Sequence, residues 1–366
     1  MSILQIGSDR TILNPESPSA ARMRAYGKCF GKLNMIIFST RPSARGTRAG
    51  RHGLKRVELE ENVNAYPTNS ISRFFYILSA IYLGLRLSRP EVVSTQDPFE
   101  AGLAGLVISK IRGVPLHVQV HTDFLSPEFA KLSFLNRVRI FLAALVIPRA
   151  ARIRVVSNRI KNSLKIKNYK LKTVPTVLPI FIDVERFRNT DANQALLARD
   201  HLFDYRFLVV SRLEPEKNLE LAIDAFARAA IDKSCLIIIG EGSQLGALHE
   251  FAEKKAVGKW VFFEGYADPA PYYKVADLVL FPSKYDGYGM VIVEALAAGT
   301  PVLSTDVGVA REAGAMVASQ KEFPEVLKNW VINGPREGRL KDYPYKNFEE
   351  YVRAYCDDIS SCTRRN

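Results

Sequence analysis

At 366 residues with 47% hydrophobic side chains, the chain has the material for a sizeable core, and its length favours two domains over one. No apolar run reaches the roughly 18 uncharged residues of a spanning helix, and the start MSILQIGSDR lacks a charged-then-apolar leader, so a cytoplasmic protein is expected. The net charge of +13 is uneven, about +18 over residues 1–199 and about −5 over residues 200–345, which predicts an anionic partner for the first half.

Short apolar runs alternate with helical patterns, the signature of parallel α/β units. In the first half SILQIG, MIIFST, EVVST, PLHVQVH, IRVVS and KTVPTVL read as strands. Residues 41–56, rich in Arg and Gly, read as a mobile loop. Residues 71–87 read as a helix apolar nearly all round, with Arg73, Arg86 and Arg89 near its ends. That pattern fits a buried crossover helix and a membrane-surface helix equally. From Lys131 to Ile182 there are twelve Lys or Arg and no Asp or Glu. A linker is expected around residues 178–188, at Pro179 and the switch to acidic composition. The series then restarts with RFLVVS, CLIIIG, VFFEGY, LVLFPS and PVLSTD. The tail YKNFEEYVRAYCDDI places Phe348, Tyr351, Val352 and Tyr355 on one helix face. This predicts Rossmann-like domains over residues 1–185 and 186–345, facing across a cleft, with an amphipathic helix and tail over 346–366 that returns to the first domain. Cys29, Cys235, Cys356 and Cys362 lack C-x-x-C spacing, so neither a zinc site nor a disulfide framework is indicated, and Cys235 reads as a buried thiol.

The chemistry gathers between Arg212 and Glu294. After the strand RFLVVS come Arg212 and Lys217, and Asn218 is placed to cap the following helix, whose apolar face is Leu219, Ala222, Ile223 and Phe226. Two cations in a polar loop are by themselves commonly solvated surface charge. Further on, Gly287 and Gly289 precede a helix starting near Met290 or Val291, whose amides suit a phosphate. Asp286 and Glu294 flank that start, and Gly299 ends the helix before Pro301. An Asp in D-G is also a common turn former, and a first-turn Glu also compensates the helix dipole. Together the cations and amides suit a diphosphate and the carboxylates suit sugar or ribose hydroxyls, the combination a nucleotide-sugar requires.

The order SRLEPEKN, GEGSQL, VFFEGY, PSKYDGYGMVIVEALAAGTPVLSTDVG resembles the C-terminal domain of glycosyltransferase family 4, retaining enzymes of the GT-B fold. The resemblance implies that Arg212 and Lys217 bind the donor diphosphate and that Glu294 binds the ribose, beside the amides of Gly289, Met290 and Val291 expected from the helix start. The first acid of the family's E-x7-E motif contacts the donor sugar; its match here is Asp286, one methylene shorter. In EVVSTQDPFEAGLAGLVISKIRGVPLHVQVHTDF the residue matching the family's sugar-contacting His is His121, with Asp123 two residues on. The family's glycine pair in the first loop is missing, Ser19 and Ala20 being the nearest small residues. Retention in the family is explained by same-face attack, the leaving phosphate taking the acceptor's proton. There is no D-x-D, so Arg212, Lys217 and helix amides are expected to replace a metal, and no cofactor is expected.

The expected activity is transfer of a hexose or N-acetylhexosamine from a UDP- or GDP-linked donor to a glycan or lipid-linked acceptor, in cell-surface polysaccharide or glycolipid synthesis. Arg149, Arg152 and Arg154 are expected in a basic patch for the acceptor or for an anionic membrane, with peripheral attachment at the inner face of the cell membrane. Two alternatives stand beside this: a nucleotide-sugar epimerase of the same architecture, and a basic nucleic-acid-binding protein. The acidic second half and the lack of a zinc finger, RNA-recognition signature or helix-turn-helix argue against nucleic acid.

Overall fold

The computed structural model describes residues 1–40, 56–167, 169–192, 196 and 202–364. The expected loop at 41–56 therefore lies outside the described residues except for Arg56. Two compact units make up the chain: residues 1–179 with 346–366, and residues 180–345. The first unit ends at Pro179, earlier than the boundary expected at residue 185, and it takes back the C-terminal helix.

In the first unit the strands are β1 (Ser2–Gly7), β2 (Lys32–Ile37), β3 (Val57–Glu60), β4 (Val63–Pro67), β5 (Val92–Thr95), β6 (Leu116–Val120), β7 (Arg152–Val155) and β8 (Thr176–Val177). They form one sheet of order β3-β4-β2-β1-β5-β6-β7-β8. Every pairing is parallel except that of β3 with β4. A parallel strand covered on both faces must bury both sets of its side chains, and all five residues of β6 are buried, His117 and Gln119 among them. The C-terminal helix Phe348–Ser360 covers part of this sheet unit and buries Tyr351, Val352, Tyr355 and Ile359. Asn347 caps it by accepting the Glu350 amide at 2.9 Å, and Tyr355 stacks on Tyr26 of the helix Pro18–Cys29 with ring centroids 4.2 Å apart.

The segment at 71–87 is a 3-10 turn, Arg73–Phe75, leading into the helix Tyr76–Arg86, which packs on the helix Glu100–Arg112. Only Ala80 and Gly84 of the Tyr76–Arg86 helix are buried. Phe74 is 92% exposed, Leu78 62% and Tyr82 55%, so the buried-crossover reading fails. The helix Phe134–Val146 packs on the same partner and leaves Phe134, Leu135 and Phe141 exposed.

The second unit holds β9 (Tyr205–Val210), β10 (Ser234–Ile239), β11 (Val261–Gly265), β12 (Leu278–Phe281), β13 (Val302–Ser304) and β14 (Met316–Val317), all parallel, in the order β11-β10-β9-β12-β13-β14. From β9 the chain winds outward through β10 and β11, then returns to place β12 on the other side of β9. The order reverses between β9 and β12, and the carboxyl end of such a reversal is where open α/β sheets bind ligands. The predicted face of the helix Leu219–Ala229, with Leu219, Ala222, Ile223 and Phe226, is buried against β9 and the helix Phe323–Asn333.

Candidate active site

Both loops expected to bind the donor leave the β9/β12 switch point. After β9, the Ser211 amide donates to Ile239 O at 3.0 Å and the Leu213 amide to Glu241 O at 2.9 Å, which ties the Arg212 loop to the loop after β10. A Cβ on Gly242 would lie 2.4 Å from Leu213 O, so this close approach requires glycine. The chain then makes a 3-10 turn, Pro215–Lys217, and Asn218 adopts a left-handed conformation at φ 55°. Asn218 does not cap the next helix: its Nδ2 donates to Pro282 O at 3.2 Å, which clamps the loop to the end of β12. The Lys284 amide donates to Glu216 O at 2.8 Å and closes the same clamp.

This clamp brings Lys217 to Asp286, Nζ to Oδ2 2.6 Å, with side chains only 16% and 18% exposed. The other oxygen, Oδ1, accepts the Tyr288 amide at 3.1 Å. An acid that turns back on the amide two residues ahead must be short, which accounts for Asp where the family motif has Glu. Arg212 sits apart from this pair, its side chain 70% exposed and paired to Glu216 at 2.8 Å. The two cations share a loop, each held by its own carboxylate.

Gly289, at φ 87°, opens the helix Met290–Ala298, so the amides of Gly289, Met290 and Val291 stand at its positive end beside Asp286. Gly299, left-handed at φ 92°, ends it as expected. Glu294 lies one turn in, where burial raises its carboxyl above the ordinary range against the opposing Tyr273 hydrogen bond. Tyr273, from the helix Ala270–Val275, donates to Glu294 Oε2 at 2.8 Å. Nothing in the sequence singled out Tyr273, because only the packing of two helices brings it to Glu294.

In the first unit His121 follows β6 directly, with its Nε2 3.3 Å from Gln119 Oε1. Burial, then the charges of Arg154, Arg22 and His117, push its pKa down to about 3, so the ring is neutral. Asp123 is buried, which raises its carboxyl against the pull of Arg159.

The basic patch is not as expected. Arg149 is at the surface and donates to Leu145 O at 2.7 Å. Arg152 is held by Asp358 of the C-terminal helix at 2.7 Å. Arg154 is 2% exposed and contacts Gln119, Tyr351 and the Leu178 carbonyl, so it is an interior residue. Alternation in β6 and β7 explains this: Arg152 and Arg154 point to the polar face that the C-terminal helix covers, while Ile153 and Val155 point away. The alternation of LHVQVH against RIRV was the available signal.

The sequence model of glycosyltransferase family 4 matches residues 36–186, and that of the group 1 glycosyl transferases matches residues 200–318. The chain belongs to glycosyltransferase family 4. Alpha-monoglucosyldiacylglycerol synthase of Streptococcus pneumoniae is 28% identical over 240 residues, 58% of this chain and 51% of that protein. The match thus spans about half the length of this curated relative. Anabaena HepE, solved in complex with UDP, shares the fold at a TM-score of 0.67 and 18% identity, covering 98% of this chain and 95% of that one. Sucrose-phosphate synthase from Thermosynechococcus elongatus does so at 0.71 and 14%, covering 99% and 95%. The fold of this family member is therefore GT-B. No helix among the described residues is long and apolar enough to cross a membrane.

Proposed function

We propose that the protein is a retaining glycosyltransferase that moves a hexose or N-acetylhexosamine from a UDP- or GDP-linked donor to a glycan or lipid-linked acceptor, in cell-surface polysaccharide or glycolipid synthesis. The observation that carries this reading is the Lys217–Asp286 pair at the N-terminus of the helix Met290–Ala298, with Glu294 one turn inside. The donor diphosphate takes the helix amides and draws Lys217 from Asp286, which frees that carboxylate for the sugar; Arg212 adds a second cation. As the bond from the anomeric carbon to the phosphate oxygen breaks, charge builds on the leaving diphosphate, where these cations and amides are worth most. The acceptor hydroxyl attacks from the same face, and its proton passes to the leaving phosphate oxygen. In this reading the electrostatic work of a divalent cation is done by protein groups, Glu294 binds the ribose and His121 contacts the donor sugar.

For the acceptor, we favour a lipid-linked molecule met at an anionic membrane surface. Exposed Leu78, Phe134 and Phe141 stand on two helices that pack on the helix Glu100–Arg112, and exposed Phe74 on the 3-10 turn before the first of them, with Arg73, Arg137 and Arg149 nearby in sequence, the mix of apolar and basic side chains that suits such a surface. The streptococcal relative is named for a glycolipid product, which agrees with this choice. The test is incubation with radiolabelled UDP- and GDP-sugars and membrane lipid extract, with NMR of the glycosylated product. The anomeric configuration of the donor is expected in the product; an inverted anomer contradicts the reading.

A further inference from the structure

The interior of the first unit holds an arrangement that the transfer reaction as described does not use. Arg154 is a fully buried cation, and among its described contacts there is no carboxylate: it donates to Gln119 Oε1 at 2.9 Å and to the Leu178 carbonyl at 3.1 Å, with its guanidinium 5.1 Å from the Tyr355 ring centroid. A buried cation without a counter-charge is costly, so its placement asks what it holds.

It holds one amide in one orientation. Arginine only donates, so the Gln119 atom facing it must be the oxygen. The Gln119 nitrogen then donates to Tyr355 OH at 2.9 Å and to Ser94 Oγ at 3.1 Å, which agrees with that assignment. Ser94 Oγ in turn lies 3.0 Å from His117 Nδ1, and His117 Nε2 lies 3.0 Å from Asp358 Oδ2. A carboxylate only accepts, so the row runs in one direction and ends at the C-terminal helix. With Gln119 so oriented, its oxygen also faces His121 Nε2 at 3.3 Å. That nitrogen must carry the proton.

We propose that Gln119 is a positioning residue that locks His121 in its Nε2–H tautomer and leaves Nδ1 as a hydrogen-bond acceptor, the lock being set by Arg154 and by Tyr355 of the C-terminal helix. An Nδ1 lone pair suits a sugar hydroxyl as donor, and this part rests on the reading of His121 as a donor-sugar contact. The C-terminal helix then acts on the chemistry through two side chains, without touching substrate.

The lock is tested on the full chain with 15N-labelled histidine, by a long-range proton–nitrogen spectrum in which His121 is assigned from its loss in His121→Phe. The wild type is expected to show protonated Nε2 and bare Nδ1, and Gln119→Met to show a mixture of tautomers. Protonated Nδ1 in the wild type, or a Gln119→Met spectrum like that of the wild type, overturns the proposal. Should Gln119→Met fail to fold, the wild-type spectrum decides. With UDP-glucose and GDP-mannose as probe donors, Gln119→Met and His121→Phe are each expected to raise the donor KM about tenfold, the double variant no further. Tautomers that change as expected while KM stays put would remove His121 from the donor site and leave the lock standing.

Discussion

Lys217 and Asp286 form a 2.6 Å ion pair across two loops of the β9/β12 switch point, and the second Asp286 oxygen is committed to the Tyr288 amide. The Lys217 ammonium is thus neutralised by a carboxylate, and a donor diphosphate bound as proposed would have to compete with Asp286 for it.

Asp286→Asn keeps the turn to Tyr288 but releases Lys217. The affinity for UDP or GDP is expected to rise about fivefold, the worth of a modest ion pair, while turnover with the intact donor falls at least about tenfold for want of the sugar contact. Calorimetry with the nucleoside diphosphate and steady-state kinetics measure the two. A parallel fall in both quantities would count against the competition.

Tyr273→Phe removes the one hydrogen bond that lowers the Glu294 carboxyl against its burial. With Glu294 binding the ribose as proposed, the acid limb of nucleoside diphosphate binding is expected to move to higher pH, because a protonated carboxyl no longer accepts twice from the ribose. At neutral pH the loss is about 1–2 kcal/mol, read from the dissociation constant across a pH series.

Stability should fall in acid in two stages. His121 is neutral in the fold with a pKa of about 3, so the unfolded chain, where histidine titrates near ~6.5, binds the extra proton first. Stability declines from about pH 6.5 downward by at most ~1.4 kcal/mol per pH unit for this group. Burial raises Asp358, yet His117 and Arg152 together bring it below its ordinary value. Its contribution is present above the usual carboxylate pKa of ~3.9 and is lost as the pH falls through the lower folded value. Asp358→Asn at neutral pH is expected to cost about 3 kcal/mol and to speed amide exchange in residues 348–360, since it strands His117 and Arg152. Urea melts and hydrogen exchange check both statements.

The exposed aromatic edge gives a membrane test. Phe74→Ser with Phe141→Ser is expected to lower binding to anionic vesicles about a hundredfold, two phenyl rings having lost their apolar refuge, without lowering the melting temperature. Arg149→Gln is expected to weaken binding less, through an effect that disappears at high salt. Flotation unchanged in the double variant would remove this surface from the account.

Legibility differed between the two units for physical reasons. In the second unit the buried strands are unbroken apolar runs such as CLIIIG, and D-G-Y-G before an apolar helix marks its own start, so Arg212, Lys217, Gly289 and Glu294 could be placed by local pattern. In the first unit β3 and β4 read VELE and VNAYP, charged and polar enough to hide as a loop. Arg154 was misread because composition counts charges without facing them. Its true surroundings come from Tyr351 and Tyr355, about two hundred residues away in sequence. Asn218 was misread for a related reason: the clamp to Pro282 outcompeted the local cap, and no local pattern contains Pro282.

The central claim is that the β9/β12 switch point binds a nucleotide-sugar through its diphosphate. Its most direct test is a panel of UDP- and GDP-sugars scored for thermal stabilisation of the wild type, Arg212→Ala and Lys217→Ala. At least one donor is expected to raise the melting temperature of the wild type, by less in Arg212→Ala and not at all in Lys217→Ala. No stabilisation by any donor, or a Lys217→Ala response equal to that of the wild type, would contradict the account.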